Sequence, residues 1–96
     1  MPAQHRADAA TTDLQQLVRR LRGLSPRAWA AGGRRDVVRR LLTDLAALTA
    51  PDRRLPDLPD HALGDAVAVL GHDAIGHAQT RERAAQLVRD ALDRTR

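Results

Sequence analysis

Apolar residues fall in four blocks along the chain, each with the three- and four-residue spacing of one helix face. In the first, TTDLQQLVRRLRGL, Leu14, Leu17, Val18, Leu21 and Leu24 form a single stripe. Thr11 or Thr12 stands before it as a cap, and Asp13 suits the positive end of the helix dipole. The ten residues ahead of this block are rich in Ala and lack periodicity, which predicts a flexible tail. The second block follows Gly33 and runs to about Thr49; Val37, Val38, Leu41, Leu42, Leu45 and Leu48 cover an arc of roughly 140° when placed at helical intervals. The third, HALGDAVAVLGHDAIGHA, turns Leu63, Ala66, Val67, Leu70 and Ala74 inward. The fourth begins at Thr80 as a cap and buries Ala84, Leu87, Val88, Ala91 and Leu92.

The segments between blocks carry their own signals. Ser25–Pro26 is a cap followed by proline at the first helical position, and Gly32–Gly33 is a stop, so Pro26–Ala31 is expected to form a short helix. Leu24, just before that cap, and Trp29, four residues inside, have the spacing of a hydrophobic staple. Residues 50–60, APDRRLPDLPD, hold three Pro and form an extended connector, which Leu55 and Leu58 pin to the core. The expected fold is all-α, a small bundle of four main helices with one short connecting helix. Residues 1–10 form the tail and 11–96 a single helical-bundle domain.

Composition narrows this picture. With 96 residues, 43% hydrophobic content, one Trp and neither Phe nor Tyr, the core is single and thin, built from Leu, Val and Ala. Each buried Leu or Val contributes roughly 1.5–3 kcal/mol, most of it cancelled by conformational entropy. A chain of this kind gains by burying a face against a partner. One surface suits that purpose in sequence: Gly64, Ala68, Gly71 and Ala78 line a flank of the third long helix, where small residues permit close backbone approach. Each helical Gly costs roughly 0.5–1 kcal/mol relative to Ala, so the flank needs a neighbouring helix from the same chain or from a second copy in a homo-oligomer.

Charge adds a second candidate. The formal net charge of +4 divides unevenly, with a basic excess in residues 1–54 and an acidic one in 55–96. Arg40 lies four residues after Asp36 and four before Asp44, so its charge is met locally. Arg19, Arg22, Arg34, Arg35 and Arg39 are left as a basic face beside Trp29, which together make the candidate partner-binding set. The absence of Lys weakens Arg richness as a sign of nucleic-acid binding, because every basic position in the chain is Arg.

The chemical inventory argues against catalysis. There is no Cys, Lys or Tyr, Ser25 is the only Ser and reads as a cap, and Glu82 is the only Glu. Gly32–Gly33 lacks the strand, spacing and Lys of a phosphate loop. His61 with Asp65, and Asp73 with His77, are i,i+4 pairs, but two ligands fall short of a metal site. No catalytic, cofactor-binding or metal residues are therefore assigned. The N-terminus has no apolar stretch of signal-peptide type, and no run approaches the ~20 apolar residues of a membrane span, so a cytoplasmic protein is expected. The function expected is that of a non-catalytic helical accessory or adaptor protein, binding another protein with an acidic surface or itself. Nucleic-acid binding through the Arg-rich face of the first two long helices is the alternative, and a metal-binding helical bundle is a second one.

Overall fold

The computed structural model describes residues 2–96, with side chains from residue 7 onward. It contains five helices: α1 (Pro2–Arg22), α2 (Pro26–Ala30), α3 (Arg34–Thr49), α4 (Asp60–Gly76) and α5 (Arg81–Arg94). The all-α fold is a small bundle of four main helices with the short α2 as a joint. Helices α4 and α5 touch each other and each packs on both α1 and α3, while α2 rests on α3.

The stripes read from the sequence supply the core. Leu14, Leu17, Val18 and Leu21 of α1 meet Val38, Leu41, Leu42 and Leu45 of α3, Leu63 and Val67 of α4, and all five expected residues of α5 in one buried cluster. Val37, Leu48, Leu55 and Leu58 pack partly buried against it, so both connector leucines are pinned as expected. The joint forms as its residues dictate. Ser25 Oγ accepts from the Ala28 amide at 3.1 Å, Pro26 begins α2, and Gly32 and Gly33 turn the chain with φ of 65° and 69°, a region closed to most side chains. Trp29 is 4% exposed and belongs to the core.

Three local expectations change. The first helix begins at Pro2 instead of Thr11 or Thr12. Ala10, at 2% exposure, extends the Leu14–Leu17–Leu21 stripe toward the N-terminus, and the Thr12 hydroxyl donates back to the Asp8 carbonyl at 3.0 Å instead of capping. In α4 the buried face is Leu63, Gly64, Val67, Gly71, Ala74 and Ile75, with Ala66 and Leu70 only partly buried. The inward arc is rotated toward the glycines because α1 lies against them. Thr80 stands in the cap position just before α5, but its hydroxyl caps no amide there; it donates to Ala74 O at 2.6 Å and so closes the end of α4.

Arginines finish the other helix ends. Arg81 Nε donates to Ile75 O at 2.8 Å at the C-terminus of α4. Arg20 Nη1 donates to Leu92 O at 2.6 Å and to the buried Thr95 hydroxyl at 3.3 Å. Arg34 reaches Ala28 O and Ala31 O through Nη1, both at 3.2 Å, and Arg96 O through Nη2 at 2.9 Å. The last carbonyls of a helix have no partner within it, and a guanidinium with five N–H groups satisfies several at once while meeting the negative end of the dipole.

Candidate interaction surface

The basic face read from the sequence is largely consumed inside the molecule. Arg22 binds Asp65 through Nε at 3.0 Å and Nη2 at 2.7 Å, joining α1 to α4. Arg35 holds Asp60 in a two-pronged pair of 2.7 and 2.6 Å, joining α3 to the start of α4. Arg39 reaches Asp57 at 2.8 Å and so ties the connector to α3. Arg34 serves the helix ends described above. Of the five arginines, only Arg19 makes no side-chain hydrogen bond or ion pair among the described residues, and Trp29 is buried at 4% exposure. The Arg35 guanidinium holds the Asp60 carboxyl below the usual carboxylate range, chiefly through their hydrogen bonds; burial opposes this, and the charges of Arg35 and, less, Arg39 and His61 add to the lowering, while the same bonds raise Arg35 in turn.

Other charges also pair across helices. Arg89 lies four residues before Asp93 on α5, but it binds Asp13 of α1 at 3.0 Å, and Asp93 pairs with Arg96 at 3.2 Å. A carboxylate on a neighbouring helix competes with one on the same helix wherever two elements run alongside. Arg40 meets Asp44 at 3.3 Å, and His77 meets Asp73 at 3.5 Å, as their four-residue spacing implies. Asp65, the i,i+4 neighbour of His61, is taken by Arg22. Among the described residues no group of three or more His, Asp or Glu comes together, and no helix is long and apolar enough to cross a membrane.

The small-residue flank splits between two environments. Gly64 and Gly71 are buried against α1: a Cβ on Gly64 would stand 3.3 Å from Arg22 Cγ, and one on Gly71 would stand 2.6 Å from Leu14 Cδ1. These two glycines exist for a helix of the same chain. Ala68 is half-buried, and Ala78 lies beyond the end of α4 on the exposed turn.

What the bundle leaves open lies on the other side of α4. Val69, 68% exposed, is the one large hydrophobic side chain at the surface among the described residues. It borders an open groove of about 990 Å³ between the C-terminal end of α3, the connector and α4. Ala46, Ala50, Leu55, Ala66 and Leu70 form its apolar wall, and Arg53, Arg54, His72 and Asp73 stand around it. The periodicity held a signal for this surface, since Val69 falls outside the arc of Leu63, Val67 and Leu70. Arg53 and Arg54 gave none, because only the path of the connector brings them to the groove edge.

Comparison with known proteins yields no relative: no family model matches the chain, and neither a curated protein nor a solved structure does.

Proposed function

We propose that the protein is a small, non-catalytic helical accessory module that acts by binding another protein, and that the partner docks in the groove between α3, the connector and α4. The observation that carries this reading is Val69, 68% exposed beside a groove walled by Ala, Leu and Val side chains. A single exposed valine is ordinary on a protein surface; one continuous with a groove of this size is a patch. Nucleic-acid binding has less support, because Arg22, Arg34, Arg35 and Arg39 already satisfy carboxylates and carbonyls of the chain itself.

Site-specific photo-crosslinking in the native host tests the proposal. A photoreactive residue in place of Val69 should give a discrete protein adduct, and one in place of the exposed Arg19 should not. Adducts to nucleic acid, or equal protein labelling from both positions, would count against it.

A further inference from the structure

We infer that the segment bound in the groove is an acidic amphipathic one, presenting apolar side chains to Val69 and Leu70 and carboxylates to Arg53 and Arg54. This rests on the groove being the docking surface, and it names the chemistry of the partner. The argument is charge complementarity. Elsewhere in the bundle, four arginines that border a seam between elements are met by an aspartate of the chain, Arg22 by Asp65, Arg35 by Asp60, Arg39 by Asp57 and Arg89 by Asp13, whereas Arg83 and Arg94 beside the α3–α5 seam are not. Arg53 and Arg54 border the groove, are exposed, and form no ion pair or side-chain hydrogen bond among the described residues. Arg19, Arg27 and Arg94 also lack partners, but they are scattered over α1, α2 and α5 and none borders this groove.

The α4 side of the groove differs in sign from the connector side. His72 and Asp73 line it there, and Asp73 lies 3.5 Å from His77. A bound segment with carboxylates on all its faces would meet Asp73 unfavourably, so its acidic residues should lie on the flank facing the connector. The groove is apolar along its floor and open along its length, which suits an amphipathic helix laid into it with apolar residues at helical spacing. Two adjacent guanidiniums offer paired donors to carboxylates and favour rapid encounter with an acidic segment.

Fluorescence polarisation with labelled synthetic peptides of about 15 residues, long enough to form helix on a surface, provides the test. One carries a Leu face with Glu along one flank of it, a second has Lys in place of Glu, and a third has the Glu peptide scrambled so that the Leu face is lost. The wild type should bind the Leu/Glu peptide at least about tenfold more tightly than the other two, with affinity falling as salt rises. Arg53→Glu with Arg54→Glu should invert the preference toward the Lys peptide, and Val69→Asp should weaken binding of both; circular dichroism confirms that each variant remains folded. Equal affinity for the Glu and Lys peptides, or no binding of the Glu peptide, overturns the inference. If the Lys peptide binds equally but Val69→Asp still abolishes binding, the groove stands and only the acidic partner falls. A wild-type dimer in sedimentation that Val69→Asp disperses overturns it in favour of a second copy of this chain.

Discussion

The glycines of α4 permit a graded test of the packing. Replacing a helical Gly with Ala gains roughly 0.8–1 kcal/mol of helix propensity when the new methyl finds space. At Gly76 no atom lies within 4 Å of the added Cβ, and φ is not positive, so Gly76→Ala should stabilise by about 0.5 kcal/mol, less than the full gain because the residue ends the helix. At Gly64 the nearest atom is Arg22 Cγ at 3.3 Å, on an exposed side chain that can give way, so Gly64→Ala should be neutral or mildly stabilising. At Gly71 the methyl would lie 2.6 Å from Leu14 Cδ1 and 3.0 Å from its Cδ2, and Leu14 is a core residue with little room to turn. Overpacking of about 1–3 kcal/mol then outweighs the propensity gain, leaving a net loss of about 1 kcal/mol. Urea denaturation of the three variants reads this order directly. The decisive comparison is Gly71→Ala in a Leu14→Ala background, where the clash is gone and the same change should stabilise by about 0.5–1 kcal/mol. If Gly71→Ala stabilises the wild type as much as Gly76→Ala does, α1 does not lie against Gly71 and the assignment of this flank to intrachain packing fails.

Three further expectations follow from the joint and the ion pairs. Trp29→Ala removes a buried aromatic side chain and should cost about 3–5 kcal/mol in denaturant unfolding, and the wild type should show blue-shifted tryptophan emission poorly quenched by iodide; a red-shifted, readily quenched emission contradicts the burial. Arg34→Ala frees carbonyls at the end of α2 and the Thr95 and Arg96 oxygens just past α5 and should destabilise by about 1–3 kcal/mol, with hydrogen exchange rising first near Ala91–Thr95; unchanged exchange there argues against the tethering role. Because Arg35 lowers the Asp60 pKa in the folded state, the contribution of the pair is present above the unfolded value of about 3.9 and is lost as pH falls through the folded value. Asp60→Asn should therefore be less stable than the wild type at neutral pH, with the gap closing below about pH 4; a gap independent of pH refutes the linkage.

The bundle was legible because its information is local. The Leu and Val stripes of α1, α3 and α5 fix which face is buried, and Ser25, Pro26 and the Gly32–Gly33 pair fix the joint between them. The face of α4 was harder to read, since Gly64 and Gly71 bury by admitting α1 and add little hydrophobicity of their own. The pairing of the arginines was hard to read for a related reason. Arg22, Arg35 and Arg39 have no carboxylate four residues away to neutralise them, so they read as free. Their partners Asp65, Asp60 and Asp57 lie 43, 25 and 18 residues later and meet them only through the fold. The same long-range placement leaves Arg53 and Arg54 without side-chain partners among the described residues at the edge of the groove.

On the proposed function, the molecule meets its partner through the groove around Val69, and its arginine patch is internal structure. Amide chemical-shift mapping of the isotope-labelled protein titrated with the Leu/Glu peptide tests it most directly. The expected result is a set of shifts confined to residues 46–55 and 66–73, absent in Val69→Asp. Shifts centred on Arg19, Arg27 and the α1–α2 surface, with residues 66–73 unmoved, would contradict it.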